Sequence, residues 1–114
     1  MKNALIIDDE VDLCELLSLQ LKSLGLNSEY VNTIHEAKEK FKSNQYEIIF
    51  LDLNLTDGSG FDMLNFMSDY PKRQKVIVIS AYDNERNKVL ECGADFFLAK
   101  PFSKKKVAQI IDSI

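Results

Sequence analysis

Residues Ile48–Leu51 read IIFL and are followed at once by Asp52. A short apolar run that is rich in β-branched and aromatic residues, and bounded by polar residues, indicates a strand buried on both faces of a sheet. Three further runs share this pattern: Ala4–Ile7, Val76–Ile79 and Phe96–Ala99. Because strands covered on both faces are typical of parallel sheets, these four runs indicate an α/β protein.

Between the strands, the apolar residues recur at helical spacing. Helices are predicted near residues 13–24, 34–41, 60–68, 84–92 and 107–114. Gly25 is placed to close the first helix in a left-handed conformation. Thr33 and Glu36 form a capping-box pair ahead of the second helix, and Ser103 can cap the last one.

A weaker run, Glu29–Val31, alternates in polarity and predicts a fifth strand at an edge of the sheet. The chain then contains five consecutive β-α units. Parallel strands need right-handed helical crossovers, so we expect a doubly wound (βα)5 sandwich with helices on both faces of the sheet. With 114 residues and no internal linker, residues 1–114 are interpreted as one domain.

Composition and charge exclude several classes of protein. Lys and Arg number 14 against 18 Asp and Glu, a net charge of −4, so direct binding of nucleic acid is not expected. No apolar run approaches the ~18 residues of a membrane span, and the N-terminal run is too short for a signal peptide, so we expect a cytoplasmic protein. Cys14, Cys92 and the single histidine, His35, are too few for a disulfide framework or a structural zinc site.

Chemically active side chains stand where the predicted strands end. In chain order these are Asp8 and Asp9, Asp52, Ser80 and Lys100. Because the carboxyl ends of parallel strands meet at one edge, we expect these groups to converge there. Two carboxylates ~6 Å apart repel by roughly 3 kcal/mol at an effective dielectric of ~20, and one lysine cannot balance three of them. Mg²⁺ with oxygen ligands would supply the missing positive charge.

Carboxylates, a lysine, a hydroxyl and Mg²⁺ together suggest phosphoryl chemistry. A carboxylate can act as the nucleophile and form an aspartyl phosphate, and Asp52 lies at the centre of the predicted sheet. Asp8 and Asp9 would hold the metal, while Lys100 and Ser80 would contact phosphoryl oxygens. Any one of these aspartates, taken alone, would be a simple turn or helix-cap residue. Their convergence at one edge favours a site.

These residues also carry a resemblance that covers essentially the whole chain. The sequence resembles the receiver domain of two-component response regulators. The matching segments are IIDDE (6–10), DLNL (52–55), DGSG (57–60), SA (80–81), GAD (93–95) and KPF (100–102). The resemblance implies a flavodoxin-like, five-stranded parallel sheet in the order 2-1-3-4-5. It also implies a Lys100–Pro101 peptide bond that is typically cis.

The resemblance implies that Asp52 accepts a phosphoryl group from a phosphohistidine of a sensor histidine kinase or a histidine phosphotransfer protein. Mg²⁺ would be bound by Asp9, Asp52 and the backbone carbonyl of Asn54, with Asp8 acting through water. Lys100 would contact the phosphoryl group. Such a domain catalyses only its own phosphorylation and slow dephosphorylation, so we do not expect an enzyme that acts on a separate substrate.

The resemblance further implies a switch. Ser80 would move toward the phosphoryl group, Phe97 would turn inward into the vacated space, and the surface of helix 4, strand 5 and helix 5 would change. That surface would meet a target protein, an output domain beyond Ile114 or, after phosphorylation, a second copy. A stand-alone receiver and the N-terminal part of a larger regulator are both compatible with the sequence.

Several positions depart from the commoner choices of the family. Thr56 stands where many members have proline, Ser80 replaces the more frequent threonine, and Phe97 replaces a frequent tyrosine, which removes a phenolic hydroxyl. Asn54 and Tyr82 fall where members vary the lifetime of the phosphate. The bulky Tyr82 could shield the phosphoryl group from water.

Three other functions compete with this interpretation. A phosphohydrolase of the haloacid dehalogenase type needs a second aspartate two residues after the nucleophile, where this chain has Asn54. A flavin module of the flavodoxin kind needs a Ser, Thr and Gly-rich loop after the first strand, where residues 8–10 read DDE. A degenerate receiver that works without phosphorylation would not need the complete set of phosphorylation residues found here.

Overall fold

The architecture is given by a computed structural model that describes residues 2–114. The strands of its main sheet are β1 (Asn3–Ile7), β2 (Asn27–Val31), β3 (Ile48–Asp52), β4 (Lys75–Ser80) and β5 (Phe96–Ala99). The helices are α1 (Val11–Ser23), α2 (Ile34–Ser43), α3 (Gly60–Ser68), α4 (Arg86–Glu91) and α5 (Lys104–Asp112). All neighbouring strands are parallel, in the order β2-β1-β3-β4-β5, so the predicted fold and strand order are confirmed.

Alternate residues of the central strands enter two separate apolar layers, as the pleat of a strand requires. Leu5 and Ile7 of β1 pack in the layer that holds α2, α3 and α4, whereas Ile6 packs in the layer of α1 and α5. Every residue of β3 is buried. Asp52, the last residue of β3, therefore lies at the centre of the sheet edge, with β1 on one side and β4 on the other.

The helix ends follow most of the predicted signals. Gly25 closes α1 with a φ of +86°, and the Ser103 hydroxyl accepts the N–H of Lys106 at 3.1 Å. Thr33 caps α2 by accepting the N–H of Glu36 at 3.1 Å. The Glu36 carboxylate accepts a hydrogen bond from the Thr33 hydroxyl at 3.1 Å, which replaces the reciprocal bond expected of a capping box.

Two short elements were not predicted, and both flank the carboxyl edge of the sheet. Asn54–Leu55 and Gly58–Ser59 pair as a two-stranded antiparallel hairpin directly after β3. A 3-10 turn, Asp83–Glu85, follows β4 and makes α4 begin at Arg86, two residues later than predicted. No helix within residues 2–114 combines the length and the apolar character needed to cross a bilayer.

Candidate functional site

The carboxyl ends of the strands bring the predicted groups together at one edge. Asp8 follows β1, Asp52 ends β3, Ser80 ends β4 and Lys100 follows β5. Strand pairing continues to the end of β4, because the Lys100 N–H donates to the Ser80 carbonyl at 2.8 Å. Asp8, Asp52 and Ser80 are all buried, so three polar side chains of this edge are shielded from solvent.

Lys100 lies at the centre of the acidic groups. Its Nζ is 3.1 Å from Asp8 Oδ2, 3.3 Å from Glu10 Oε1 and 3.6 Å from Asp52 Oδ2. The lysine side chain is only 15% exposed, so these contacts are screened less than a surface ion pair would be. One ammonium thus faces three carboxylates, and the cluster keeps an excess of negative charge.

Burial and mutual repulsion change the acidity of these groups. Burial raises the pKa of Asp52 to about 6, and the charge of Asp8 adds to the rise, although Lys100 and the N–H of Asn54 oppose it. Burial also raises the pKa of Asp8. Burial lowers the pKa of Lys100, but Asp52 and Asp8 outweigh it, so the pKa of Lys100 is raised overall. The site therefore resists holding all of its carboxylates ionised without a further cation.

The donor set at this edge fits a hard divalent cation. Carboxylate oxygens of Asp8, Asp9 and Glu10 lie within 4.8 Å of one another. Among the described residues, Asp8 Oδ2 is buried and has no hydrogen-bond partner, although Lys100 lies close enough for an ion pair. An unsatisfied buried oxygen beside other carboxylates is suited to Mg²⁺, which prefers oxygen ligands.

The four predicted metal ligands occupy different environments. Asp8 and Asp52 are buried, Asp9 is half-buried and Asn54 is exposed. The backbone N–H of Asn54 donates to Asp52 Oδ1 at 3.4 Å, so the hairpin after β3 contacts the nucleophile candidate directly. The resemblance had implied roles for the Asn54 carbonyl and for this position in phosphate lifetime, but none for its backbone N–H.

Ser80 and Phe97, the predicted switch residues, are both buried. The Ser80 hydroxyl accepts the N–H of Tyr82 at 3.0 Å, which leaves its own proton free to be donated. Phe97 is 5% exposed, so its ring already occupies an inward position in this structure. Tyr82 is 58% exposed and stands at the rim, where its predicted shielding of a phosphoryl group stays a prediction.

Most of the site contacts that were not predicted from the sequence lie at the end of β1, around Asp8. Glu10 pairs with Lys100, and its position directly after two aspartates was the available signal. The Asn32 amide donates to the Asp8 backbone carbonyl at 2.8 Å, and the Cys14 thiol donates to the same oxygen at 3.4 Å. Cys14 is buried, and burial followed by the charge of Asp8 raises the pKa of its thiol to about 12, so the thiol is not activated as a nucleophile. Asn32 carried no recognisable signal.

The expected peptide geometry beside Lys100 is present. The Lys100–Pro101 bond is cis.

Asp57, part of the DGSG segment, does not belong to the acidic cluster. Its carboxylate accepts the N–H groups of Ile34 at 2.8 Å and His35 at 3.0 Å, and these bonds hold the pKa of Asp57 below its usual value. Asp57 therefore anchors the start of α2 to the loop after β3.

Comparison with known proteins identifies the family. The family model for the response regulator receiver domain matches residues 4–112. The chain belongs to the response regulator receiver domain family. Membership confirms the predicted resemblance and decides against the phosphohydrolase and flavin-module alternatives.

The receiver is similar to part of two curated regulators. It is 30% identical over 112 residues to the response regulator protein PilR of Pseudomonas aeruginosa, covering 96% of this chain and 25% of PilR. It is 32% identical over 114 residues to the transcriptional regulatory protein LytR of Staphylococcus aureus, covering 97% of this chain and 46% of LytR. The receiver thus spans less than half the length of either relative.

Solved structures agree with this receiver over nearly its whole length. A CheY-like response regulator receiver domain from Methylobacillus flagellatus has a TM-score of 0.91 at 29% identity, covering 99% of this chain and 98% of the other. The response regulator TrrA from Thermotoga maritima, solved in complex with Mg²⁺ and BeF, has a TM-score of 0.90 at 27% identity, with coverage of 99% and 98%.

Proposed function

We propose that this receiver accepts a phosphoryl group on Asp52 and switches its surface in response. The observation that carries the proposal is the convergence of a buried nucleophile, a lysine and a cluster of carboxylates that includes the unsatisfied Asp8 Oδ2. Asp52 is 4% exposed, lies 3.6 Å from the Lys100 ammonium and ends the central strand beside the acidic cluster.

The chemistry is a single displacement at phosphorus. An oxygen of the ionised Asp52 forms a bond to phosphorus as the bond from phosphorus to the donor histidine nitrogen breaks. Lys100, now shared among carboxylates, contacts an oxygen of the transferred group. The free proton of the Ser80 hydroxyl is available to a second oxygen. These side chains act by position and charge, which is how proteins catalyse phosphoryl transfer.

The metal that fits this chemistry is Mg²⁺. Asp9, Asp52 and the backbone carbonyl of Asn54 would hold it, with Asp8 acting through water. When bound, it supplies the positive charge that Lys100 alone does not provide and neutralises the oxygens of the transferred group. The complex of TrrA with Mg²⁺ and BeF supports this assignment by relationship.

The proposed partners follow from the chemistry and from the family. The phosphoryl donor is a sensor histidine kinase or a histidine phosphotransfer protein in the cytoplasm.

The receiver is not an enzyme for a separate substrate and catalyses only its own phosphorylation and slow dephosphorylation. The surface of α4, β5 and α5 carries the signal to an output domain, a target protein or a second phosphorylated copy, and the domain itself does not bind nucleic acid.

The direct test is chemical phosphorylation followed by intact-mass spectrometry. Incubation with acetyl phosphate or phosphoramidate and Mg²⁺ should add the mass of one phosphoryl group, and Asp52→Asn should abolish the adduct. Chelation of Mg²⁺ should slow its formation strongly. Asp112→Asn makes the same chemical change at an exposed position near the end of α5 and should be modified like the unmutated protein.

Two results would contradict the proposal. One is the absence of an adduct on the unmutated protein with either phosphoryl donor. The other is an adduct of equal yield on Asp52→Asn, which would mean that a different side chain accepts the group.

A further inference from the structure

An arginine covers the buried aromatic ring near the site. Arg86 is the first residue of α4, and its guanidinium carbon lies 4.7 Å from the centre of the Phe97 ring. A cation over the face of an aromatic ring is attracted by the ring quadrupole. Phe97 is 5% exposed, and the guanidinium lies over its ring on the side where α4 packs against β5.

The same arginine is tied to the loop that leaves Ser80. Its Nη2 lies 3.1 Å from Asp83 Oδ1, in the 3-10 turn that precedes α4. Two hydrogen bonds that do not involve Arg86 also connect that turn to the end of β4. The Glu85 N–H donates to the Tyr82 carbonyl at 3.2 Å, and the Tyr82 N–H donates to the Ser80 hydroxyl at 3.0 Å.

We propose that Arg86 is a positioning residue that holds Phe97 inward and couples the ring to the loop after Ser80. The inference rests on the proposed function, because it assigns to Arg86 the link between the phosphoryl-sensing hydroxyl and the switch aromatic. A planar guanidinium can stack on a ring while its N–H groups bond a carboxylate, which a lysine ammonium does less well. A shift of the Ser80 loop therefore changes the contact that holds the ring.

A second cation on the same helix provides a matched control. Lys88 Nζ lies 4.6 Å from the centre of the Phe61 ring, on the side of α3. Its interaction is of the same kind, but among the described residues no ion pair or cation–ring contact joins Lys88 to Phe97 or to the 3-10 turn. Lys88→Met removes the same charge two residues further along α4, but it releases Phe61 instead of Phe97 and leaves the ion pair between Arg86 and Asp83 in place.

The first measurement uses ¹⁹F NMR of protein labelled with 4-fluorophenylalanine, in the absence of Mg²⁺. The chain has seven phenylalanines, and the Phe97 resonance is assigned from its absence in Phe97→Leu. In Arg86→Met this resonance should shift, and its H₂O/D₂O solvent isotope effect should rise toward that of an exposed ring. Lys88→Met should leave the Phe97 resonance in place, and Arg86→Lys should restore part of the shielding.

The second measurement tests the coupling. Beryllofluoride with Mg²⁺, a mimic of the phosphoryl group on Asp52, should shift the Phe97 resonance in the unmutated protein and in Lys88→Met. Arg86→Met should lose most of that response, while intact-mass spectrometry should show that acetyl phosphate still modifies Asp52. Asp83→Asn, which weakens only the tie to the turn, should give an intermediate response.

An unchanged Phe97 resonance in Arg86→Met, or an equal change in Lys88→Met, would overturn the proposal. If the unmutated protein responds neither to beryllofluoride nor to acetyl phosphate, the proposed function and the coupling both fail. The first measurement needs no metal or phosphoryl mimic, so it still decides whether Arg86 holds the ring.

Discussion

Asp52 combines two demands that oppose each other. A nucleophilic carboxylate must be ionised, yet this one is buried beside Asp8, and burial raises its pKa to about 6. Lys100 offsets part of the cost, at 3.6 Å. The metal-free site thus holds its nucleophile in an unfavourable charged state at neutral pH, and the binding of a cation relieves this.

The raised pKa predicts a pH-dependent gain in stability for Asp52→Asn. The pKa of Asp52 is about 6 in the folded chain and close to 3.8 when unfolded, so the folded state binds more protons between these values. Stability therefore falls as pH rises from about 4 to about 6, and the cost is complete at pH 7. In metal-free buffer, Asp52→Asn should be more stable by about 1–3 kcal/mol at pH 7, and the gain should vanish near pH 4.

Urea denaturation followed by circular dichroism at a series of pH values measures this gain. Asp112→Asn, at an exposed position of α5, should follow the unmutated protein at every pH. If the gain in stability of Asp52→Asn stayed constant between pH 4 and pH 7, it would not come from the ionisation of Asp52, and the raised pKa would be contradicted.

At the scale of elements, α3 packs so closely on the end of β3 that only glycine fits its first position. A Cβ at Gly60 would lie 2.6 Å from the Asp52 carbonyl oxygen and 2.9 Å from Leu53 Cα. Both neighbours are backbone atoms, which cannot move aside cheaply. Gly60→Ala should therefore lower the free energy of unfolding by about 1–3 kcal/mol and slow phosphorylation by acetyl phosphate, because it displaces the strand end that carries Asp52.

Gly25→Ala separates these two effects. Gly25 has a φ of +86°, and among the described residues no atom beyond its two chain neighbours lies within 4 Å of an added Cβ, so this substitution strains only the backbone. It should cost about 1–2 kcal/mol and leave the phosphorylation rate unchanged. If Gly60→Ala were as stable as the unmutated protein, the close packing of α3 against the end of β3 would be refuted. A loss of stability with no effect on phosphorylation would instead refute the displacement of Asp52.

The sequence predicted the elements whose signals are local. The apolar run of β3 and the cap at Ser103 depend on neighbouring residues, so periodicity and capping rules find them. The hairpin after Asp52 was missed because its two-residue strands are too short for any alternation to register. The 3-10 turn was missed because Asp83–Glu85 reads as the start of a helix.

The same distinction applies to the site. Asp8, Asp52 and Lys100 could be predicted to meet because the carboxyl ends of parallel strands share an edge. The contacts of Asn32 with the first strand end and of Arg86 with Phe97 are set by tertiary packing between distant segments. Nothing in the local sequence marks such residues as partners of the site.

At the scale of the whole molecule, the acidic excess at one edge couples metal binding to folding. The carboxylates of Asp8 and Asp9 are brought beside Asp52 only in the folded chain, so Mg²⁺ should bind the folded state in preference to the unfolded one. A ligand at 100 times its dissociation constant stabilises the folded state by about 2.7 kcal/mol. For a domain near this size, each kcal/mol raises the melting temperature by roughly 4–8 °C.

Mg²⁺ should therefore raise the melting temperature of the unmutated protein in a concentration-dependent way, and Asp9→Ala should lose most of that rise. Asp9 is half-buried and belongs to the group of carboxylate oxygens that lie within 4.8 Å of one another. Asp12→Ala removes a similar charge from the exposed first turn of α1 and should keep the full rise. Calorimetric scans with and without Mg²⁺ measure both. An equal rise in Asp9→Ala and Asp12→Ala would mean that Mg²⁺ acts through the overall negative charge of the molecule, because general screening would not distinguish the two positions.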